Sequence, residues 1–316
     1  MRFVLMIEAQ QGLSYADQLA IARRAEAAGF EALFRSDHYQ SFPGPQGNPT
    51  TDAWAVLAGL ARETARIRLG ALVSPVTFRL PGNLAKVATT VDEMSGGRIE
   101  IGVGAGWNED EHVQHGFAFP PIEERADMLE EQLAILRGLW SEPDGWSFDG
   151  AHYTVRNARF HPKPVQRPHP PIITGGDGTP RSMRIAARYS DEYNITSSGP
   201  ERVAERMAML DEACRAIGRD PATLRRSAMV GTLVGADEAE LADRSRALLE
   251  ALGLPGAGSD WLEERRRRWI IGTPDEARAM ARRFGDAGVG RIMLQVFLPW
   301  DLEMIDLLGR ELVGRV

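Results

Sequence analysis

The chain has 316 residues, of which 43% are hydrophobic and 26% are charged, values typical of a globular protein with a large core. Its formal net charge of −7 argues against nucleic acid as a partner, and no apolar run approaches the ~20 residues of a membrane-spanning helix. The single cysteine, Cys214, excludes an intrachain disulfide and is interpreted as a small apolar residue on a helix. The N-terminus does not resemble a signal peptide, so we expect a cytoplasmic location.

Strand-like and helix-like segments alternate along almost the whole chain. Short apolar runs typical of strands fall at residues 3–7, 31–36, 67–74, 99–104, 171–176, 191–196, 226–235 and 291–297. Segments with helical spacing fall at 15–30, 52–64, 83–98, 123–140, 180–188, 201–217, 238–252, 274–289 and 302–312. Because this rhythm repeats eight times with no early switch in order, it predicts an α/β fold, a closed (β/α)8 TIM barrel, rather than an open doubly wound sheet.

Two segments interrupt the alternation. Residues 141–170 carry Asp149-Gly150 between aromatic-rich runs, which indicates a hairpin, and a proline-rich stretch follows that excludes a helix. Residues 253–272 include the charged run EERRRRW, which we interpret as a solvated helix face or a lid over the barrel mouth rather than a nucleic-acid patch. The expected organisation is therefore one barrel domain over 1–316 with insertions near these two places.

Polar and glycine-rich residues follow four of the predicted strands, at 35–38, 73–77, 104–109 and 174–178. A parallel barrel gathers the C-terminal ends of its strands on one face. We therefore expect these four loops to meet at a single site, although they are far apart in the sequence.

Asp37 and His38 stand at the C-terminal end of the second predicted strand. Histidine titrates near neutral pH and suits proton transfer, and a neighbouring carboxylate can hold its tautomer. The pair is therefore a candidate for acid–base catalysis. The alternative is a hydrogen-bonded loop pair without a chemical role, and the sequence leaves both interpretations open.

The glycine-rich turns are candidates for binding a flat heterocycle and a phosphate. Gly104 and Gly106 would let the backbone approach a ligand closely, and Asn108 offers a donor and an acceptor to a ring edge. The run GVGAGW lacks the helix start of a dinucleotide fingerprint. A second cradle is predicted from the residues Gly175, Gly176, Gly178, Thr196, Ser197, Ser198 and Gly199, with positive charge from Arg181 and Arg184.

Metal and nucleophilic chemistry find no support in the sequence. His112 and His115 are spaced i, i+3 but lie on a polar segment without a clear carboxylate partner, and we interpret them as surface or loop histidines. The first strand carries no H-x-H pair, and the chain has no G-x-S-x-G elbow. We therefore predict no metal site and no nucleophilic hydrolysis.

The motifs taken together resemble the bacterial luciferase-like family, and specifically its branch that uses the deazaflavin coenzyme F420. The stretches that carry the resemblance are Ser36-Asp37-His38, LGALVSPVTFRLP, SGGRIEIGVGAGWNEDE, Arg125 with LEEQLAILRGLW, PIITGG and GTPDEARAMARRFGDAGVGRIMLQ. They span residues 3 to 310. The family fold is a (β/α)8 barrel with insertions, which agrees with the count of strands above.

The resemblance implies roles for individual residues. Asp37 and His38 match the acid–base pair near the reactive ring, and Leu72 and Val73 match a non-prolyl cis-peptide bulge that backs the ring. The remaining coenzyme contacts that the resemblance implies are Asp37 again, Asn108, Thr174, Gly175, Gly176 and Thr196.

The substrate region departs from the sugar-phosphate dehydrogenase branch of that family. Phe42 stands where that branch has a tryptophan, and the GWN turn stands where it has a glutamate proton donor, so that Glu109 is the stand-in catalytic carboxylate. No basic residues match its ligands for the substrate phosphate. We therefore expect an apolar or mixed pocket formed by Phe42, Phe78 and Trp107.

The function implied is hydride transfer between coenzyme F420 and an unidentified small organic substrate, with His38 and Asp37 assisting proton transfer. Two alternatives stay open: an FMN-dependent monooxygenase of the same family, and a non-catalytic barrel that binds a flavin or deazaflavin. The expected partners are a small-molecule substrate and, by analogy with relatives, a second copy of the chain in a homodimer; we expect neither nucleic acid nor a membrane as a partner.

Overall fold

The computed structural model describes residues 1–196, 198–257 and 259–316, with the side chain of Ser259 left aside. Its strands in chain order are β1 (Arg2–Ile7), β2 (Ala32–Arg35), β3 (Arg68–Pro75), β4 (Ile99–Gly104), β5 (Trp146–Asp149), β6 (Thr154–Ala158), β7 (Ile172–Gly176), β8 (Glu192–Thr196), β9 (Arg225–Val234), β10 (Ile270–Gly272) and β11 (Arg291–Val296). Its helices are α1 (Tyr15–Ala27), α2 (Ala53–Glu63), α3 (Pro81–Ser95), α4 (Glu109–His115), α5 (Ile122–Ser141), α6 (Pro180–Tyr189), α7 (Pro200–Ala216), α8 (Glu238–Ala251), α9 (Ser259–Arg266), α10 (Pro274–Asp286) and α11 (Leu302–Leu312), with 3₁₀ turns at Ala9–Gln11 and Pro221–Thr223.

Eight parallel strands close into a barrel. Their order is β1, β2, β3, β4, β7, β8, β9 and β11, and β11 pairs back with β1. The short strand β10 adds to the C-terminal part of β9, and β5 pairs with β6 as a separate antiparallel hairpin. The predicted α/β (β/α)8 barrel is thus confirmed, and its strand C-terminal ends share one mouth.

The strands are buried on both faces, which explains why they appear in the sequence as nearly continuous apolar runs. On β1, alternate residues point in opposite directions. Val4 and Met6 join a small apolar cluster inside the barrel with Phe34, whereas Leu5 and Ile7 join the larger core between the barrel and its helices. The barrel is therefore a filled core, and a ligand can enter only at its ends.

A buried ion network closes the N-terminal end of the barrel. Arg291, at the start of β11, pairs with Glu100 at 2.6 Å, Glu192 at 3.1 Å and Glu31 at 3.1 Å. Burial would raise the pKa of Glu100, but Arg291 and Arg68 outweigh it and lower that pKa to about 2. This ion network joins the starts of β3, β4, β8 and β11. It lies at the N-terminal end of the barrel, where residues of parallel barrels typically serve stability.

Helix α4 and strand β10 were not predicted from the sequence, whereas the helix expected as one interpretation of the charged run is present in part as α9. Helix α4 fills what was treated as a polar loop; it carries acidic residues in its first turn and ends at Gly116 in the left-handed conformation. The segment 253–272 contains both α9 and β10. Arg265 lies over the ring of Trp261 at 3.4 Å, so the charged run has one face packed on an aromatic ring.

No helix within the described residues is long and apolar enough to cross a membrane. The organisation of 1–316 as one domain stays a prediction.

Candidate active site

A cavity of about 590 Å³ opens at the C-terminal mouth of the barrel, and residues in or just after all eight barrel strands line it. The predicted site residues that line it are His38, Phe42, Leu72, Val73, Trp107, Asn108, Gly175, Gly176 and Thr196. The structure thus brings together all four loops that the sequence singled out. It places Asp37, Phe78, Glu109 and Thr174 outside the lining.

One wall of the cavity is a bulge in β3. The Leu72–Val73 peptide bond is cis, as expected, and the register between β3 and β4 shifts between Ala71 and Ser74. A Cβ at Gly104 would lie 2.5 Å from Val73 Cγ2, so that only glycine leaves room for the bulge. The result is a fixed apolar surface that faces the cavity.

A glycine turn after β7 forms the neighbouring wall. A Cβ at Gly175 would lie 2.8 Å from the backbone oxygen of Asn194, and Gly176 has φ +149°, a conformation that residues with side chains rarely adopt. Thr174 lies behind this turn, where its hydroxyl is 2.8 Å from the hydroxyl of Ser190. Its hydroxyl is thus engaged away from the cavity, and a contact with a ligand through its backbone stays a prediction.

Two buried polar atoms near the glycine turn lack a hydrogen-bond partner among the residues described. Asn194 donates from its amide to Ser227 at 2.9 Å, and its Oδ1 is left without a donor at the edge of the cavity. Arg206 packs against Gly178, and its Nε is likewise without an acceptor. Asn194 Oδ1 can therefore accept a hydrogen bond from a molecule in the cavity, whereas Arg206 lies next to the turn but is not among the lining residues.

The positive charge expected near this turn has a different source from the one predicted. Arg181 pairs with Asp127 on α5 and Arg184 is exposed on α6, whereas Arg206 packs against Gly178 after the turn. In the predicted cradle after β8, the hydroxyl of Thr196 donates to Asp177 Oδ1 at 3.5 Å. Ser197 lies outside the described residues.

His38 projects from the loop after β2, and its ring is fixed by Glu111 on α4. His38 Nδ1 lies 2.8 Å from Glu111 Oε2, and the other carboxylate oxygen accepts the backbone N–H groups of Tyr39 and Gln40. Glu111 is fully buried. Since a carboxylate can only accept, Nδ1 donates and Nε2 is the ring nitrogen left for a ligand.

Asp37 does not orient the imidazole, contrary to the expectation. Its carboxylate accepts from the hydroxyl of Ser74 at 2.6 Å and from Arg79 at 2.6 Å. Burial would lower the pKa of Arg79, but Asp37 and Asp52 raise it above the ordinary value, so the guanidinium stays charged. Neighbouring residues of an extended segment point to opposite sides, and Asp37 therefore anchors the loop from behind.

Two further expectations need correction. Phe78 lies in an aromatic cluster behind the cavity wall, with its ring centroid 5.0 Å from that of Tyr39 and 4.8 Å from that of Phe117. It lies in the turn that ends β3, where its N–H donates to the backbone oxygen of Pro75, and it is not among the residues that line the cavity. Glu109 is exposed on the first turn of α4, whereas Glu111, two residues later, faces inward.

His112, interpreted as a surface or loop residue, is buried. Its ring nitrogens lie 2.6 Å from the hydroxyl of Thr77 and 2.6 Å from the backbone oxygen of Asn108. Helix α4, which the sequence analysis did not recognise, turns this side chain inward and leaves His115 exposed.

The substrate side of the cavity is aromatic. Phe42 lies edge-on to His38 with ring centroids 4.5 Å apart, and Trp107 lies edge-on to Phe42 at 5.2 Å. Trp107 is 66% exposed at the mouth. Glu8, which follows β1 and was not singled out in the sequence, also lines the cavity although it is only 6% exposed.

Comparison with known proteins agrees with the fold. A family model described as luciferase-like monooxygenase matches residues 1–296. An F420-dependent hydroxymycolic acid dehydrogenase of Mycobacterium tuberculosis is 29% identical over 265 residues, which are 81% of this chain and 72% of that protein. An FMNH(2)-dependent dimethylsulfone monooxygenase of Pseudomonas putida is 32% identical over 186 residues, which are 58% of this chain and 49% of that protein.

A solved structure has the same fold over its full length. It is an F420-dependent secondary alcohol dehydrogenase in complex with an F420-acetone adduct, and it superposes with a TM-score of 0.84. The match covers 99% of this chain and 98% of the other at 21% sequence identity, so it establishes the architecture alone.

Proposed function

Because the chain belongs to the luciferase-like monooxygenase family, we propose that it is an F420-dependent oxidoreductase that transfers hydride between coenzyme F420 and a small organic substrate. The observation that carries the proposal is one cavity that joins the cis-peptide bulge, the glycine turn and the Glu111-held His38. The F420-dependent relative that aligns with 81% of the chain supports the choice of coenzyme.

The residues present fit a flat, partly anionic coenzyme. Leu72 and Val73 would back the ring, and the buried Oδ1 of Asn194 would accept from a ring N–H. Gly175 and Gly176 would allow the backbone to approach it. The guanidinium of Arg206 would compensate part of the negative charge of the phosphate and side chain.

Coenzyme F420, when bound, supplies a ring carbon that accepts or gives hydride and reacts poorly with oxygen. The chain's own contribution is a side chain that accepts and returns the proton. If an alcohol is oxidised, its C–H bond breaks with loss of hydride, and the hydroxyl proton passes to Nε2 of His38; in the reverse direction Nε2 returns the proton to the carbonyl oxygen. Glu111 holds the imidazole in the tautomer that this step needs.

The second candidate is an FMN-dependent monooxygenase, which the FMNH(2)-dependent relative supports. The same bulge and glycine turn could hold a flavin ring. A monooxygenase would need a flavin reduced by a separate enzyme and a cavity that protects an oxygen adduct from water, whereas hydride transfer needs a proton carrier at the reacting carbon. The fixed imidazole of His38 therefore favours the first candidate.

Titration of the purified protein with each coenzyme tests the proposal. We expect F420 to quench tryptophan fluorescence with a dissociation constant at least tenfold below that of FMN, since Trp107 stands at the mouth of the cavity. Tighter binding of FMN, with oxygen consumption when a reductase is added, would support the monooxygenase. Binding of a coenzyme without turnover on a panel of alcohols and ketones would instead indicate a non-catalytic barrel.

A further inference from the structure

The cavity holds a buried carboxylate that the proposed proton transfer does not use. Glu8 is 6% exposed and lines the cavity from the end of β1. Its Oε2 accepts from the amide of Gln10 at 2.7 Å, and its Oε1 accepts from the amide of Gln295. Two neutral amides are its hydrogen-bond partners among the described residues.

A buried carboxylate without a cation is unfavourable unless its lone pairs are satisfied. An ionised carboxylate offers about four acceptor positions, and the two amides use two of them. The ionisable residues in the described lining are acidic or histidine, namely Glu8, His38, Glu111, His112 and Asp177, and no lysine or arginine is among them. The remaining acceptor capacity of Glu8 is therefore available to a ligand in the cavity.

The amide of Gln10 links Glu8 to the loop after β2, which carries the proposed proton carrier. Its Nε2 donates both to Glu8 and, at 2.9 Å, to the backbone oxygen of Phe42, whose ring contacts His38. The hydroxyl of Ser36 donates to the other end of the same amide. Glu8 is thus held by amides from the loop after β1 and from β11, and it lines the same cavity as His38.

We propose that Glu8 is a specificity-determining residue that accepts a hydrogen bond from a second donor group on the substrate. The inference rests on the proposed function. The substrate is then a neutral or cationic hydroxy compound, a diol or an amino alcohol, or the corresponding carbonyl compound. Its apolar part packs on Phe42, Trp107 and Phe297. A phosphate or carboxylate on the substrate is disfavoured beside Glu8, because no lysine or arginine is among the described lining residues to compensate the two negative charges.

The test uses four compounds on one carbon skeleton: a mono-alcohol, a diol, an amino alcohol and the phosphate ester of the diol. In the wild type with F420 we expect kcat/KM for the diol or the amino alcohol to exceed that for the mono-alcohol by about 100-fold, with no turnover of the ester. Glu8→Gln should remove most of that difference, and Glu124→Gln, an exposed carboxylate on α5, should not. If Glu8→Gln lowers kcat/KM more for the amino alcohol than for the diol, the substrate belongs to the cationic class.

A second variant separates recognition from a structural role. Gln295→Leu removes one amide donor from Glu8, so we expect it to raise the preference for the amino alcohol over the diol. An equal loss on the mono-alcohol, the diol and the amino alcohol in both variants, or turnover of the ester by the wild type, would overturn the inference. If the wild type turns over no alcohol with any coenzyme, the proposed function fails. The role of Glu8 is then judged by calorimetric binding of the diol and amino alcohol, which Glu8→Gln should abolish.

Discussion

His38 Nδ1 lies 2.8 Å from Glu111 Oε2, although 73 residues separate the two in the chain. One stands after β2 and the other on the short helix that follows β4. Glu111 also accepts two backbone N–H groups from the His38 loop, so one buried carboxylate fixes both the ring and the loop that carries it. The imidazole is therefore oriented by the protein before any coenzyme or substrate binds.

His38→Ala should slow turnover about 10²- to 10⁴-fold, because it removes the proposed proton carrier. The dissociation constant of F420 should change little, since the bulge and the glycine turn are untouched. Steady-state kinetics and fluorescence titration measure the two quantities. His115→Ala, which removes an exposed histidine of α4, is the matched control and should retain the wild-type rate. An unchanged kcat in His38→Ala would exclude His38 as the proton carrier.

Glu111→Gln should lower kcat about 10- to 100-fold with little change in KM, because the amide no longer fixes the imidazole as a carboxylate does. The solvent deuterium isotope effect on kcat should rise as proton transfer becomes slower, a change that a loss of stability alone would not produce. Glu109→Gln alters the exposed carboxylate on the same helix and should stay within about twofold of the wild type. The reverse ranking of the two variants would restore Glu109 as the catalytic carboxylate.

Gly176→Val should weaken binding of F420 by at least about tenfold. The backbone of Gly176 has φ +149°, and a branched side chain there both disfavours this conformation and covers the backbone that a coenzyme would approach. Gly218→Val places the same side chain at another glycine with positive φ, at the end of α7 and with no atom within 4 Å of its Cβ. Equal coenzyme affinity in the two variants would place the binding turn elsewhere.

Stability should decrease when the pH falls from about 4.5 towards 2. The pKa of Glu100 is about 2 in the folded protein against an ordinary value of 4.5. A lowered folded-state pKa gives stabilisation that is complete above the unfolded pKa and is lost as pH falls through the folded one. Urea unfolding followed by circular dichroism at several pH values measures how the free energy of unfolding changes with pH.

Glu100→Gln should flatten that pH dependence and lower the free energy of unfolding at neutral pH by about 3–5 kcal/mol, because it leaves Arg291 with less compensation. Glu93→Gln, on an exposed position of α3, should alter neither quantity appreciably. A steep decrease that persists in Glu100→Gln would show that other carboxylates cause the acid sensitivity.

The barrel could be predicted from the sequence because the signals for its strands and turns lie in short stretches of the chain. Continuous apolar runs identify buried parallel strands, and glycines mark the turns that follow them. The turn at Gly175 and Gly176 was found in the same way, since it needs glycine at one short stretch, whereas the bulge at Leu72–Val73 was expected only from the resemblance to the luciferase-like family. Neither feature depends on where distant parts of the chain lie.

The partners of the polar side chains could not be predicted, because they depend on direction and on distant residues. Asp37 is adjacent to His38 in sequence, yet it turns to Arg79, and the carboxylate at the imidazole comes from α4. Helix α4 is only seven residues long and almost entirely polar, so it shows no apolar periodicity by which Glu111 could be assigned to the inner face. Glu8 was overlooked because a lone acidic residue after a strand is commonly solvated.

The ion network around Arg291 and the cavity lie at opposite ends of the same strands. Consequently, the residues that keep the cylinder folded are not those that meet a ligand. The loops at the mouth could therefore be exchanged for a new substrate preference while the ion network at the other end, which stabilises the barrel, stays unchanged. Variants selected for new reactivity should therefore need few compensating changes beyond the loops themselves.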